Sequence, residues 1–571
     1  MERLFGVETE YAFTAMNRRR MRISPGNMMG PLIGLARRRL TWLPDGTQGG
    51  MFLQNGARFY IDAGCHPEFS TPECANPWDL VRYVQAGECI LADLARALET
   101  EEREVSETSV LRSNVDYSGS RATWGCHESY LHRQNPQIFP DQIIPHLVSR
   151  IIYTGAGGFN SLQPSGLEFT LSPRVWHLTH EVSAESTQNR GIFHTKNESL
   201  SSSGYNRLHI LCGESLCSEL ASWLKIGTTA LVVALIDAGV RPGDGVHLWA
   251  PLTAMREFAA DPTCSTTAKL HGGTRVSALD IQRHYLSQAQ EHLHRDFMPP
   301  FAQAVCERWR AILDALGGAP ESVATQLDWA IKFLLYSDRT RRQGMAWESI
   351  PSWGQVVAKL AELHASQASR GGGRARLDLN LATHLCALRP PRELVRFLRE
   401  HDLRWESLAT FIRLQKELFE IDTCFGQLGD RGIFTLMDRD GVLAHHVAGV
   451  DNIAHAVENP PAIGRARVRG ESVRKIAGEL NARERAGERD RYITAWERIW
   501  DCERRQHLDL GDPFLTKAPE WKECRVDEEA FVITRLHRRE SLLSRLRAGL
   551  DYDRLLGHFD RELFSTLQER D

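Results

Sequence analysis

The chain has 571 residues, of which 42% are hydrophobic and 25% charged, and its formal net charge at pH 7 is -4. This length predicts more than one domain, and the composition is typical of a globular protein. The slightly acidic balance argues against a nucleic-acid-binding protein, which is usually basic, so we expect no nucleic-acid partner.

Three features bear on the compartment in which the protein works. The longest apolar run, Ala230–Ile236, is far shorter than the ~20 residues that a membrane span needs. The amino terminus lacks the apolar core of a signal peptide. The 12 cysteines form no C-x-x-C pair, which argues against both a zinc site and a small disulfide framework. We therefore expect a cytoplasmic protein with free thiols and no membrane contact.

Hydrophobic periodicity predicts the first elements in chain order. Apolar and polar residues alternate at residues 4–13 and 55–63, which predicts strands. Helical spacing of apolar residues predicts helices at residues 28–43, 77–98 and 217–239. Because strands and helices do not follow one another as regular βαβ units, we predict an α+β fold built around a largely antiparallel sheet.

The second half of the chain contains one evident loop. Ser366–Asp378 holds three consecutive glycines and few apolar residues, which is typical of a flexible connection. The surrounding region, roughly residues 341–403, is predicted to form helices that this loop joins. Beyond Pro519 the chain is charged and has leucines at helical spacing, which predicts a helical extension.

Acidic side chains on two of the predicted strands indicate a metal site. Glu8 and Glu10 share one face of the first strand, and Tyr60 and Asp62 share one face of the second. If the strands are neighbours in one sheet, these oxygen-bearing side chains converge, with Glu68 beside them. Carboxylates packed together repel one another unless cations or protons compensate them, and oxygen ligands without Cys or His favour Mg²⁺ over zinc.

Arg58 lies on the same face as Tyr60 and Asp62, and an arginine beside Mg²⁺ is suited to binding phosphate. Thr154–Asn160, TGAGGFN, is glycine-rich but lacks the GK[ST] ending of a phosphate-binding loop, so we predict a turn there. The alternative is that the acidic residues are solvated positions on a half-exposed sheet, and alternation alone does not decide between the two.

Three further polar segments are weak signals when taken singly. They are WGCHESY with His127, YNRLHI with His209, and RARVRGE with Arg467. A lone histidine is more often a hydrogen-bonded structural residue than a ligand, and a run of arginines is usually a solvated helix face.

An ordered series of segments resembles a known family. GVETEYAF, NGARFYIDAGCHPEFSTPEC, GCHESYL, NRLHILCGES, ENPPAIGRARVRGE and TAWERIWD are similar, in this order, to segments of the Pup ligase and Pup deamidase/depupylase family, which is glutamine-synthetase-like. The resemblance covers most of residues 1–514, and residues 341–403 and 515–571 lie outside it. It implies a catalytic domain over residues 1–430, a small carboxyl-terminal domain over 431–517 and the helical extension over 518–571.

The resemblance also implies a cofactor and a set of roles. Family enzymes bind ATP and Mg²⁺ on a sheet cradle. Matched motif by motif, Asp62 falls on the catalytic aspartate. The remaining matches are metal-binding positions at Glu8, Tyr60 and Glu68, and nucleotide-binding positions at Arg58, Thr71 and Trp496. Further candidates are Glu10 from the first strand, and His127, His209 and Arg467 from the polar segments.

The activity that the resemblance implies is ligation. Ligase members phosphorylate the carboxyl-terminal glutamate of a small Pup-like protein modifier, and a lysine of a protein substrate then displaces the phosphate to form an isopeptide bond. The interval between Glu8 and Asp62 is short, and DAGCHPE keeps the spacing of the ligase branch rather than that of the hydrolases. These two features favour the ligase.

Three alternatives stay open. The chain could be a deamidase/depupylase that hydrolyses the modifier amide or the isopeptide bond, or a divergent carboxylate-amine ligase that acts on a small glutamyl substrate. It could also be a catalytically silent modifier-binding protein, although intact Glu8, Asp62 and Glu68 argue against this. Residues 196–199 are Lys-Asn-Glu-Ser where the family usually has Arg-Asp-Glu-Pro, so the modifier could differ from standard Pup.

Overall fold

The computed structural model describes residues 3–46, 50–62, 64–163, 167–184, 189–194, 204–318, 320–368, 379–482 and 486–524. The strands in this part of the chain are β1 (Phe5–Glu10), β2 (Ala12–Asn17), β3 (Arg22–Ile23), β4 (Trp42–Pro44), β5 (Met51–Leu53), β6 (Arg58–Ile61), β7 (Pro67–Ser70), β8 (Val105–Leu111), β9 (Cys126–His132), β10 (Gly158–Phe159), β11 (Phe169–Thr170), β12 (His180–Ser183), β13 (Gly191–His194), β14 (Asn206–Ile210), β15 (Thr267–Lys269), β16 (Arg275–Ser277), β17 (Tyr492–Thr494), β18 (Arg498–Asp501), β19 (Gln506–Asp509) and β20 (Lys522–Glu523).

The helices of the same described residues are α1 (Pro25–Arg39), α2 (Pro77–Glu101), α3 (Phe139–Ser149), α4 (Ile151–Thr154), α5 (Glu219–Asp237), α6 (Pro251–Ala259), α7 (Ala278–Glu291), α8 (Ala302–Gly318), α9 (Asp328–Arg342), α10 (Ile350–Ala368), α11 (Leu379–Cys386), α12 (Arg392–Glu400), α13 (Leu408–Phe425), α14 (Ile433–Arg439), α15 (Ile453–Glu458) and α16 (Gly464–Ala482).

A nine-stranded sheet dominates the molecule. Its order is β12-β13-β14-β9-β1-β7-β6-β5-β4, and every pair is antiparallel except the parallel edge pair β12 and β13. A separate three-stranded sheet, β3-β2-β8, follows from β1. The predicted α+β fold around a largely antiparallel sheet is confirmed.

Two predicted elements have different bounds in the structure. The alternating residues 4–13 form two strands of different sheets, because the chain leaves the main sheet at Tyr11, where the Tyr11 N–H donates to the Pro67 carbonyl oxygen (2.9 Å). The predicted helix at 28–43 ends at Arg39, since the following residues extend and Trp42–Pro44 pairs with β5. Both departures follow from pairing with distant segments, which local periodicity does not encode.

Two predicted helices are confirmed together with their end signals. The Asn76 side chain accepts a hydrogen bond from the Asp79 N–H (2.9 Å), so Asn76 caps α2, and Pro77 occupies its first turn. After α5 the chain reverses at Gly239, whose φ of 83° is the left-handed conformation that glycine adopts without strain.

The main core lies on one face of the sheet. Phe5 and Val7 of β1 point into it, together with Tyr130 of β9, and they join a cluster built around α5 and the helices that pack on it. Helix α5 is long and apolar enough to cross a membrane, but 94% of its most apolar window is buried inside the protein. We therefore interpret α5 as the central core helix, and the residues that alternate with Phe5 and Val7 lie on the opposite face of β1.

A smaller unit, here named the C-terminal unit, consists of α16 and the four-stranded sheet β17-β18-β19-β20. It shares a hydrophobic core with the edge of the main sheet, through Leu43 of β4 and Phe52 of β5. Asp45 also forms a parallel bridge with Thr494 of β17. The C-terminal unit is therefore joined to the sheet edge next to the strand that carries Arg58.

The segment that precedes α16 packs elsewhere. Phe434 of α14 lies in a cluster with Ile331 and Phe425, and Ala456 of α15 belongs to the main core. The division between domains at residues 430 and 431 stays a prediction.

The two regions without family resemblance are partly described. Within 341–403, the predicted helices are present as α10, α11 and α12. They pack with α13 in a hydrophobic cluster that also includes Phe159 and Tyr336. The glycine loop Ser366–Asp378 lies outside the described residues except for its first three, which end α10. The helical prediction for 518–571 is wrong for Lys522–Glu523, which extend because they pair with β19. Residues 525–571 lie outside the described part.

Candidate active site

Three strands place the acidic side chains in two cross-strand rows. The sequence analysis took β1 and β6 as possible neighbours, but β7 lies between them and pairs with both. The register puts Glu68 of β7 directly opposite Glu10 of β1 and opposite Tyr60 of β6. The next row joins Glu8 to Arg58 through Ser70. The structure therefore brings these predicted site residues together, although in a different strand order.

Glu68 lies at the centre of this arrangement. Its side chain is almost fully buried, with 5% of the residue exposed. Burial, followed by the negative charges of Glu8 and Glu10, raises the pKa of Glu68 well above its usual range. Three carboxylates held this close are destabilising on their own, and a cation between them would offset both the burial and the repulsion.

Tyr60 is the cross-strand neighbour of Glu68. Tyr60 of β6 lies directly opposite Glu68 of β7, and the interaction with the Tyr60 hydroxyl opposes the rise in the pKa of Glu68. Burial and the charges of Glu8 and Glu68 raise the pKa of the phenol further above its usual value, so the phenol stays neutral. A neutral phenol is a weak ligand for Mg²⁺, and the metal-binding role of Tyr60 stays a prediction.

Arg58 has a partner that the sequence analysis missed. Its Nε donates to Oδ2 of Asp45 (2.7 Å), and its guanidinium lies 3.9 Å from the centre of the Tyr60 ring. Burial alone would lower the pKa of Arg58, but the charge of Asp45 beside it produces a net increase. Asp45 directly follows β4, and β5 lies between β4 and the strand that carries Arg58. Alternation along a single strand could therefore not have identified the pair.

Asp62 lies just beyond the end of β6, where the chain turns toward β7. The His66 N–H donates to Asp62 Oδ1 (2.6 Å), and His66 Nδ1 lies 3.2 Å from Asp62 Oδ2. The Asp62 side chain is 19% exposed, so it is held in place yet reachable from solvent. Glu10, Asp62 and His66 also offer ligand atoms within 4.8 Å of one another. His66 was missed, although its position four residues after Asp62 in a tight turn was a usable signal.

The candidate histidines lie on β9 and β14, which follow β1 in the sheet on the side opposite β7. His127 of β9 is directly opposite Glu8, with its Nδ1 4.0 Å from Glu8 Oε2. His209 of β14 packs against His127, with 5.5 Å between ring centres. Burial lowers the pKa of His127, which favours the neutral imidazole that can bind a cation. Glu8, His127 and His209 form a second group with ligand atoms within 4.8 Å of one another.

A pocket adjoins the acidic row and reaches the C-terminal unit. Its volume is about 620 Å³, part of which is open to solvent, and its lining includes Glu8, Thr71 and Trp496. The Thr71 hydroxyl accepts a hydrogen bond from the Val7 N–H (3.2 Å), which fixes it against β1. The Trp496 ring packs edge-on against Phe52, with 5.1 Å between ring centres. Two of the three predicted nucleotide-binding residues therefore line one pocket, beside one predicted metal ligand.

Arg467 points away from this pocket. Its guanidinium is partly exposed, donates to the Thr516 carbonyl oxygen and lies near Glu471. The arginines on either side of it, Arg465 and Arg469, are buried and pair with Glu73. Residues 196–199, where the sequence departs from the family pattern, lie outside the described residues.

The donor set fits Mg²⁺. Glu8, Glu10 and Glu68 supply carboxylate oxygens on two adjacent strands, which are the hard ligands that Mg²⁺ prefers. Burial, and then the charges of Glu8 and Glu10, raise the pKa of Glu68, and a cation bound beside these carboxylates would oppose both effects. These carboxylates are the ones that would hold the metal. Among the described residues near them, ligand atoms already lie within 4.8 Å of one another in two groups, Glu8 with His127 and His209, and Glu10 with Asp62 and His66.

Solved structures share this fold. A crystal structure of the complex between the prokaryotic ubiquitin-like protein Pup and its ligase PafA matches with a TM-score of 0.65 and 24% sequence identity, over 96% of each chain. The structure of the Pup ligase PafA in complex with ADP matches with a TM-score of 0.60 and 23% identity, over 87% of this chain and 92% of the other. The chain therefore has the α+β fold of these two proteins.

Sequence comparison gives the family. The profile described as Pup-ligase protein matches residues 3–368. A Pup–protein ligase of Actinosynnema mirum is 37% identical over 344 residues, which are 58% of this chain and 73% of the relative. A Pup–protein ligase of Mycobacterium avium is 32% identical over 481 residues, covering 82% of this chain and 89% of the relative. The chain belongs to the Pup-ligase family, and it is an enzyme of the ligase class.

Proposed function

We propose that the chain is an ATP- and Mg²⁺-dependent ligase that joins the carboxyl-terminal glutamate of a Pup-like protein to a lysine of a target protein. One observation carries this proposal. The buried Glu68 and the partly exposed Glu8 and Glu10, here named the carboxylate row, lie on two adjacent strands. The carboxylate row adjoins a pocket lined by Thr71 and Trp496, and Asp62, beside Glu10, is partly exposed. The row and pocket suit nucleotide and metal, and Asp62 is accessible to a second substrate.

The first step needs activation of a carboxylate. A carboxylate is a poor electrophile, so transfer of the γ-phosphoryl group of ATP to the glutamate side chain produces an acyl phosphate and ADP. Negative charge on the transferred group must be neutralised, and Mg²⁺ held by Glu8, Glu10 and Glu68 would supply that neutralisation. Arg58 lies on the same face, and Asp45 fixes its orientation. Thr71 and Trp496 would hold the nucleotide in the pocket.

The second step needs a neutral amine. A lysine amine is protonated near neutral pH, because its reference pKa is about 10.4. Asp62 would accept a proton from the incoming amine, which attacks the acyl carbon as inorganic phosphate leaves. His66 holds both oxygens of Asp62, so the carboxylate is oriented before the amine arrives. The products are an isopeptide bond, ADP and phosphate.

Membership of the Pup-ligase family, and the fact that both relatives are Pup–protein ligases, support ligation over hydrolysis. The ADP complex of the structural neighbour supports nucleotide use by this fold. We also propose that the protein works in the cytoplasm, and that the catalytic domain and a small carboxyl-terminal domain divide near residue 430.

The test is conjugation by the wild-type chain and by Asp62→Asn. The chain is incubated with Mg²⁺, ATP, a Pup protein that ends in Glu and a lysine-bearing target, and ADP and the lysine-linked product are measured by mass spectrometry. We expect the wild type to form both and Asp62→Asn to form no conjugate while still binding Mg·ADP. Conjugation by Asp62→Asn at the wild-type rate would contradict the role given to Asp62.

A further inference from the structure

A buried ion-pair cluster joins the C-terminal unit to the main sheet. Glu73 follows β7, and the two arginines that bind it, Arg465 and Arg469, lie on α16. Arg465 Nε donates to Glu73 Oε1 (2.6 Å), and Arg469 Nη1 donates to the same oxygen (3.2 Å), while Arg469 Nη2 binds the other carboxylate oxygen. The Arg469 side chain is fully buried. We name Glu73, Arg465 and Arg469 the clamp.

The clamp forms where α16 and the sheet approach closely. Arg469 Nη2 also donates to the Gly56 carbonyl oxygen (2.9 Å). A side chain at Gly56 would place its Cβ 2.7 Å from the Ala466 carbonyl oxygen, and the φ of 80° is one that glycine adopts without strain. Glycine at position 56 therefore allows the backbone of α16 to lie against the turn before β6.

The clamp is also part of the pocket wall. Glu73 and Arg465 line the pocket, as does Trp496. Arg469 Nη1 donates to the Trp496 carbonyl oxygen (3.2 Å), and its guanidinium lies 4.7 Å from the centre of the Trp496 ring. One guanidinium therefore binds the sheet through Glu73 and holds both the backbone and the ring of Trp496.

The charge state of the clamp is fixed. The two guanidiniums outweigh the effect of burial and lower the pKa of Glu73 to about 2, so the carboxylate is ionised throughout the range in which an enzyme works. Removing one partner of such a buried pair leaves an uncompensated charge, which costs more than the net contribution of the pair.

We propose that Arg469, bound by Glu73, is the positioning residue that sets Trp496 in the nucleotide pocket and keeps the C-terminal unit closed over it. This inference rests on the proposed function, because it takes the pocket as the nucleotide site. Arg469 acts through Trp496. A weakened clamp therefore lowers nucleotide affinity, whereas Asp62 and the carboxylate row stay in place.

The test compares Arg469→Lys and Glu73→Gln with Arg474→Lys. Arg474 is an exposed arginine of the same helix that contacts Asn459 and the Glu458 carbonyl oxygen, so it controls for a change of arginine on α16. Charged hydrogen bonds are worth about 1.5–3 kcal/mol each, so we expect both clamp variants to bind Mg·ADP about 10- to 100-fold more weakly. We expect their kcat for conjugation at saturating ATP to stay within about twofold of wild type.

Thermal unfolding with and without Mg·ADP separates positioning from general stability. If Arg469 positions Trp496, the rise in Tm that Mg·ADP causes is smaller in both clamp variants than in the wild type. The rise is unchanged in Arg474→Lys. If both variants lose Tm equally with and without nucleotide and keep wild-type affinity, the clamp is only structural and the inference is overturned. If the wild-type chain itself shows no rise with Mg·ADP, the proposed function and the inference both fail.

Discussion

Replacement of Glu68 by Gln is predicted to have two effects of opposite sign. In the absence of metal, Glu68→Gln removes a buried carboxylate that Glu8 and Glu10 repel, so the folded state gains stability. In the presence of Mg²⁺, the same change removes a central ligand, so nucleotide binding weakens. Substitution of a solvent-exposed residue on the sheet would produce neither effect, since substitutions at exposed positions usually change stability by less than about 0.5 kcal/mol.

The magnitude follows from the register. Glu68 is directly opposite Glu10, and such cross-strand partners have Cβ atoms about 5 Å apart. Two carboxylate charges at about 5 Å repel by about 3 kcal/mol at an effective dielectric constant near 20. Partial exposure of Glu10 screens part of this repulsion. We therefore expect a gain of about 1–2 kcal/mol, or a rise in Tm of about 1–2 °C, for the metal-free variant at pH 7.

The pH dependence has a defined sign. The pKa of Glu68 is higher in the folded protein than in the unfolded chain, so the folded state binds the proton more tightly. The stabilising contribution of that proton is complete below the unfolded pKa, and it is lost as pH rises through the raised folded pKa. Metal-free wild type should therefore lose stability over this interval, and Glu68→Gln should lose less.

The assay is thermal unfolding in EDTA and in Mg·ADP, across pH, with Glu257→Gln as the control. Glu257 is an exposed glutamate on α6, outside the proposed site, and its substitution should leave every curve unchanged. The reasoning is refuted if Glu68→Gln lowers Tm in EDTA, or if it keeps the full wild-type response to Mg·ADP.

Three further predictions address individual residues. Arg58→Lys should reduce the conjugation rate by about 10-fold or more with a small change in Tm, because lysine cannot reproduce the planar, fixed contact with Asp45; steady-state kinetics and melting curves check both. Arg467→Lys should change the KM for ATP less than about twofold, since its guanidinium points to Thr516, and a larger change would place it in the site. Thr71→Val should cost about 1–2 kcal/mol of stability by leaving the buried Val7 N–H unpaired, as measured by chemical denaturation. A stability equal to that of wild type would show that this bond contributes nothing.

The sequence predicted those parts of the site that depend on local periodicity. Alternation placed Glu8 with Glu10 and Arg58 with Tyr60, because side chains of a strand alternate whatever the strand pairs with. It could not show that β7 separates the two strands, since pairing of distant segments is set by the whole fold. The partnership of Arg58 with Asp45 was hidden for the same reason.

The arginine motif on α16 contains a helical spacing that the sequence analysis did not use. Arg465 and Arg469 are four residues apart and share one face of the helix, whereas Arg467 lies on another. Helical spacing could have indicated that these two arginines act together, but the sequence analysis selected only Arg467. Their partner Glu73, which follows β7 in the chain, could not be identified from any sequence pattern.

The central claim is that the chain makes an isopeptide bond at the expense of ATP, and one comparison tests it most directly. The wild-type chain is given Mg·ATP and a lysine-bearing target with a Pup protein that ends in Glu, and in parallel with the same protein ending in Gln. The account predicts ADP and a lysine-linked conjugate from the Glu form alone, with no ammonia from the Gln form. Release of ammonia from the Gln form without conjugation of the Glu form would contradict it and identify a hydrolase.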